Sequence, residues 1–341
     1  MYNLSDIRHL HLEISSKCNA RCPLCPRNLH GYPYNDGYVE KNIALAEIKK
    51  IFSVTFIQQL DEILINGNFG DIVMNPEAVS IIKYFRKHNT RAQIQISTNG
   101  GAQNKKFWQS LAELNCVVWF CIDGLEDTNH LYRQNVVYSK VIDNAKTFIK
   151  AGGQAHWQMI DFDFNQHQQQ TARELAADLG FVKFRVMREG RNQAPVFDKL
   201  GNLTHTIGKP QETDFSKILF IRQNSEVLIE DIEIPPVKPI QCWAKKNNSI
   251  YVSSTGDVYP CCYTGFNPAS YGHGNYMQVI NNQLKKIIQK NNALEYSLEE
   301  CIKWFDAVEE SWQDPSFDHS RLIECQNKCS QPWKDNSQTV L

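Results

Sequence analysis

Between Leu10 and Met187 short apolar runs alternate six times with amphipathic helical stretches. That alternation leaves few folds open, because adjacent parallel strands need a long crossover and a helix is its usual form. Strands are expected at Leu10 to Ile14, Glu62 to Ile65, Gln93 to Ser97, Val117 to Ile122, Ala155 to Ile160 and Lys183 to Met187. The intervening stretches carry apolar residues at helical spacing: Leu45, Ile48 and Ile51; Val79, Ile82 and Phe85; Phe107, Leu111 and Leu114; Leu175 and Leu179. Asn75 followed by Pro76 reads as a helix start, and Gly180 as a helix stop before the sixth strand. An α/β domain with a parallel sheet is the expected result.

The pattern lapses from Arg188 to Ile240, where Pro195, Gly201, Gly208, Pro210, Pro235, Pro236 and Pro239 mark loops or a linker. Further on, Ser249 to Ser253 and Asp257 to Cys261 flank Ser254-Thr255-Gly256 as a hairpin, with helical stretches at about Met277 to Gln289 and Leu298 to Glu309. A chain of 341 residues exceeds the usual size of one hydrophobic core. The expected organisation is residues 1–190 as a core domain, 191–240 as a bridging region and 241–341 as a smaller α+β domain.

Net charge is -1 and the 36 basic residues are scattered, so the electrostatic stripe of a general nucleic-acid binder is missing. No run of 18 apolar residues could span a bilayer, and Met1 to Arg8 lacks the apolar centre of a secretion signal. A cytoplasmic location is expected. Eleven cysteines are many for such a chain, since the cytoplasmic thiol pool keeps disulfides reduced and grouped cysteines there more often hold metal.

Cys18, Cys22 and Cys25 follow the first expected strand with spacing C-x3-C-x2-C. Three thiolates cannot close a four-iron cluster, so one iron is left for a small molecule; a zinc site would instead favour four ligands in paired C-x2-C units. Here the chain resembles the radical S-adenosylmethionine superfamily, which carries this spacing after the first strand of a partial (β/α)6 TIM-like barrel. The resemblance covers about Leu10 to Met187, with Leu24 standing where many members have an aromatic residue. It implies that Cys18, Cys22 and Cys25 ligate a [4Fe-4S] cluster whose open iron is chelated by the methionyl amine and carboxylate of S-adenosyl-L-methionine. One electron then cleaves that cofactor, and the 5'-deoxyadenosyl radical abstracts hydrogen from the substrate. A reducing partner such as flavodoxin or ferredoxin is implied with it.

Other segments resemble family motifs at the C-terminal ends of strands, where barrel enzymes gather functional side chains. Asn66-Gly67-Asn68-Phe69-Gly70-Asp71 stands where the family has Gly-Gly-Glu-Pro, with Phe69, Asp71 and Ile72 replacing the first Gly, the Glu and the Pro. Gly70 and Asp71 are thereby implied near the cofactor's amino group. Ser97-Thr98-Asn99-Gly100 matches a Thr-Asn-Gly segment, which places Ser97 and Asn99 near the ribose, although Asn-Gly is equally an ordinary turn. Cys121-Ile122-Asp123-Gly124 looks like Ser-Ile-Asp-Gly and is followed by Arg133, a candidate for the cofactor carboxylate that could also pair with a structural acid. Ile160 and Val186 could pack on adenine or simply fill the core, and Gln158 could touch substrate. Cys121 is a candidate hydrogen donor, as is Cys262.

The C-terminal cysteines resemble the twitch subdomain, the short relative of the SPASM domain, through the spacing C-x13-G-x4-C from Cys242 through Gly256 to Cys261. With Cys325 and Cys329 they make four thiolates, which implies an auxiliary [4Fe-4S] cluster; structural zinc also suits such a set, and Cys262 is an alternative to Cys261. The substrate is expected to be a peptide or a small metabolite. Because the triad begins at Cys18, no room precedes it for the leader-binding winged helix of many peptide-modifying relatives. A peptide would then call on a separate recognition protein. The competing function is a non-catalytic protein stabilised by iron-sulfur or zinc that binds or senses redox state.

Overall fold

The computed structural model describes residues 1–33, 39–187, 194–207, 237–266, 282–314, 317, 320–330 and 337–339. Six parallel strands run in sequence order: β1 (His9–Leu12), β2 (Glu62–Ile65), β3 (Gln93–Thr98), β4 (Cys116–Cys121), β5 (Gln154–Ile160) and β6 (Lys183–Met187). Every strand of the expected repeat forms, in an α/β fold consistent with a partial barrel. The crossovers contain α1 (Leu45–Ile51), α2 (Val54–Gln59), α3 (Ala78–His88), α4 (Lys105–Glu113), α5 (Tyr138–Lys150) and α6 (Gln169–Leu179).

Strand alternation divides each strand between two environments. Leu12, Ile65, Ile96, Phe120 and Met159 are buried in the main apolar core. His11, Leu64, Gln95, Cys121 and Gln158, of the other parity, line a cavity within the barrel. The helices seal the outer side with the apolar stripes their spacing requires; α3 buries Ala78, Ile81, Ile82 and Phe85. In α6 the deeply buried residues are Ala172 and Ala176, while Leu175 and Leu179 pack at the margin. Gly180 ends α6 at φ 86°, the left-handed conformation that a Cβ disfavours.

The region expected to be linker contains a hairpin, β7 (Ala194–Phe197) and β8 (Leu203–Ile207). Asp198 accepts from the backbone N–H of Leu200 at 2.8 Å and of Asn202 at 2.9 Å, closing the turn. Pro195 is tolerated because a two-stranded ribbon leaves one edge of each strand unpaired. Gly208, Pro210, Pro235 and Pro236 lie outside the described residues.

The expected C-terminal hairpin is β9 (Ser249–Val252) with β10 (Val258–Tyr259), and Gly256 in its turn has φ 91°. It does not stand apart from the barrel. β9 pairs in parallel with β1, His9 opposite Ser249 and Leu12 opposite Val252, so the boundary expected at 240/241 separates stretches of sequence that share one sheet. At the opposite edge β11 (Ser337–Thr339) pairs antiparallel with β6, which completes nine strands. The helix expected over Leu298 to Glu309 forms as α7 (Leu298–Cys301) and α8 (Phe305–Ser311), and α9 (Ile323–Cys329) follows. Of the stretch expected over Met277 to Gln289, residues 282–287 are helical and those before 282 lie outside the described residues. No described helix is long and apolar enough to cross a membrane.

Candidate active site

The cysteine loop leaves β1 and is shaped by its own backbone. Cys25 N–H donates to Cys22 O at 3.0 Å, Asn28 Nδ2 to Cys22 O at 2.9 Å, and Arg21 N–H to Gln134 O at 2.9 Å. Phe197 N–H donates to His30 O at 2.8 Å, so the β7–β8 hairpin docks on the loop's far end. The sulfurs of Cys18, Cys22 and Cys25 lie within electrostatic reach of one another. Burial pushes the Cys22 thiol up to about 11 and Cys18 further above its ordinary value, since an anionic sulfur is poorly solvated there.

Donors already face these sulfurs. Ala20 N–H stands 3.3 Å and Asn99 Nδ2 3.5 Å from Cys18 Sγ, and Arg133 Nη1 is 3.6 Å from Cys22 Sγ. Hydrogen bonds to sulfur tune bound clusters and orient their ligands, so this donor set fits a cluster on three thiolates. Among the described residues no three His, Cys, Asp or Glu side chains converge closely enough to hold a single metal ion.

The three cysteines line a cavity of about 1160 Å³ that extends into the barrel. Gly70, Asp71, Ser97, Asn99, Cys121, Arg133, Gln158 and Ile160 also line it, so the proposed cofactor-site residues meet in one place. Two residues stand elsewhere. Val186 has the parity of buried Phe184 and does not line the cavity; Met187, opposite Ile160 in register, takes the place expected of it. Asp123 is fully buried behind the wall, where it accepts from Arg133 Nε at 2.6 Å and from Ile160 N–H at 2.6 Å. It is a positioning residue for Arg133, whose ring neighbour is Tyr132.

Asp71 is on the wall, but its oxygens serve the neighbouring loop: Oδ1 accepts from Thr98 Oγ1 at 2.7 Å, and Oδ2 from Asn99 N–H and Nδ2, both at 2.8 Å. Gly70 is there for steric reasons. A Cβ would stand 1.7 Å from Ser15 O, a contact no side chain can make.

Sequence reasoning missed Glu13, His11 and Tyr251, whose partners are far away in the chain. Glu13, 1% exposed, accepts from the N–H groups of Phe69 at 2.9 Å and Gly70 at 2.8 Å through one oxygen, and from Tyr251 Oη at 2.6 Å through the other. His11 Nε2 donates to Asn66 O at 2.9 Å, and its ring meets Tyr251 edge-on. Burial holds His11 neutral, with its pKa down to about 4. An apolar strand followed by a lone acid, Leu12-Glu13-Ile14, was the available signal for Glu13. Deeper in the cavity Arg185 lies over the Trp119 ring at 3.8 Å, and its Nε donates to Gln158 Oε1 at 2.9 Å. Burial raises the Cys121 thiol to about 11.

The four C-terminal cysteines also gather. Cys242 shares a hydrogen bond with Cys329, which draws Cys329 down to about 7 and pushes Cys242 up. Cys261 lies within electrostatic reach of Cys242, Cys325 and Cys329. Cys325 and Cys329 share a face of α9 by their spacing of four. Cys262, the alternative to Cys261, lines the cavity and lies within electrostatic reach of Cys261. Cys116 and Cys301 are buried and lie apart from both groups, as small core residues do.

The barrel topology, with the cysteine loop leaving its first strand, is the arrangement that the sequence resemblance implies. No family model matches it. An uncharacterized protein of Methanocaldococcus jannaschii is 23% identical over 259 residues, 75% of this chain and 85% of that protein. Among solved structures, Streptococcus suis SuiB bound to precursor peptide SuiA matches with TM-score 0.57 and 15% identity, over 94% of this chain and 67% of SuiB. SuiB bound to S-adenosylmethionine matches with TM-score 0.55 and 14% identity, over 94% and 77%.

Proposed function

We propose that this protein is a radical S-adenosylmethionine enzyme of the oxidoreductase or maturase type. A [4Fe-4S] cluster held by Cys18, Cys22 and Cys25 would pass one electron to the bound cofactor, and the 5'-deoxyadenosyl radical released would take hydrogen from the substrate. The observation that carries this reading is the opening of a three-cysteine loop onto the cavity that Gly70, Ser97, Asn99 and Arg133 also line. Arg133, 15% exposed at its side chain and oriented by Asp123, would hold the cofactor carboxylate through a charge-assisted bond.

The cavity exceeds the ~300–1,000 Å³ usual for one small ligand, which supports cofactor and substrate bound together. Its inner wall of Gln95, Trp119, Gln158 and Arg185 would bind a polar substrate, and the SuiB–SuiA complex supports a peptide, with a small metabolite the other class. Cys121, which lines the same cavity, would return hydrogen to a substrate radical. Cys242, Cys261, Cys325 and Cys329 would hold the auxiliary [4Fe-4S] cluster, which would accept an electron or anchor substrate. The reductant would be a flavodoxin or ferredoxin. The eleven cysteines form no disulfide, which suits a cytoplasmic setting.

Reconstituted anaerobically with iron and sulfide and reduced with dithionite, the protein should convert S-adenosylmethionine to 5'-deoxyadenosine. Reconstituted protein that releases none would refute the proposal.

A further inference from the structure

The glycine loop is strung between two parts of the chain. On one side, His11 holds Asn66 O and Glu13 holds the N–H groups of Phe69 and Gly70. On the other, Asn68 Nδ2 donates to Cys262 O at 2.8 Å, one residue after Cys261. Tyr251, on the strand leading to those cysteines, holds the second oxygen of Glu13. The loop has no slack: a Cβ on Gly67 would stand 2.5 Å from Glu13 Oε1, and one on Gly70 would meet Ser15 O. One direct tether thus runs from the loop to Cys262, 194 positions away in sequence, and a second runs through Glu13, which is 238 positions from its partner Tyr251.

Resting on the function proposed above, we infer that the C-terminal thiolate site and the S-adenosylmethionine site are energetically coupled, with Asn68 as the positioning residue between them. Filling the four-thiolate site fixes Cys261, which fixes the Cys262 carbonyl, which holds Asn68 and the loop in the shape that receives the cofactor. Losing that site lets the loop relax, because packed elements shift between discrete arrangements rather than deform continuously. The coupling must be reciprocal, since a linkage between two binding equilibria has one free energy read from either side.

The test is equilibrium dialysis of S-adenosylmethionine against anaerobically reconstituted full-length protein, with iron and sulfide counted in each sample. Asn68→Ala and the isosteric Asn68→Asp each lose the donor and should weaken binding about fivefold at unchanged iron content, the effect of one hydrogen bond. Cys325→Ala combined with Cys329→Ala, which leaves two thiolates and empties the four-thiolate site, should weaken binding by a similar factor, and adding Asn68→Ala should cause little further loss. Wild-type affinity in both Asn68 variants, or full additivity of the two losses, would overturn the coupling. Wild-type protein that binds no S-adenosylmethionine would instead overturn the functional reading beneath it.

Discussion

Cys22→Ala is expected to reduce 5'-deoxyadenosine formation to the level of a protein-free control. Cys22 is the central member of the triad and the one whose sulfur Arg133 faces at 3.6 Å. Two thiolates cannot replace three in anchoring a cluster against loss of iron, so electron delivery to the cofactor fails at its source. The fold should persist, because alanine removes one small, largely buried side chain from the rim of a large core. Iron should fall from about eight to about four atoms per chain, the remainder being held by the C-terminal four-thiolate site. Retained iron with lost activity, or retained activity, would contradict the assignment. Zinc in place of iron at either site would show in the same metal analysis.

The second large effect is on stability. Asp123→Ala should destabilise the protein by about 3–5 kcal/mol, because removing one partner of a buried ion pair leaves the other charge unpaired in a medium that solvates it poorly. Asp123 is fully buried, with one oxygen on Arg133 and the other on the Ile160 N–H. That N–H also loses its acceptor, at a further cost inside the same range. Asp123→Asn should be milder, as its carbonyl oxygen still accepts one bond. Reversible urea unfolding of metal-free wild type and variants measures the difference. An alanine variant within about 1 kcal/mol of wild type would mean that Arg133 finds another anion, and the positioning role of Asp123 would fall.

The parallel repeat was readable because each crossover helix and strand carries its own period within a few residues. The expected edges at Glu62, Ile65, Lys183 and Met187 coincide with those of β2 and β6. The cysteine loop was readable because its ligands are local. Contacts across the chain were not. Glu13 reaches Tyr251 only because β9 pairs with β1, and no local spacing announces a parallel pairing between strands some 240 residues apart. The exchange of Val186 for Met187 has another cause: a one-residue uncertainty in strand phase reverses every side chain. The β7–β8 hairpin was masked by Pro195 and Gly201, read as loop punctuation, although a two-stranded ribbon accommodates both.

Most of the proposed site consists of ordinary side chains holding loops in place, and the proposed chemistry would depend on one open position in a ligand set. The direct measurement is the electron paramagnetic resonance spectrum of dithionite-reduced protein carrying both Cys325→Ala and Cys329→Ala, in which two thiolates are left at the C-terminal site and the N-terminal cluster is seen alone. Adding S-adenosylmethionine should shift its g-values, with hyperfine coupling to methionyl nitrogen when the cofactor carries 15N. A spectrum from the N-terminal cluster unchanged by saturating cofactor would show that all its irons are already claimed, leaving the proposed radical chemistry without a place to begin.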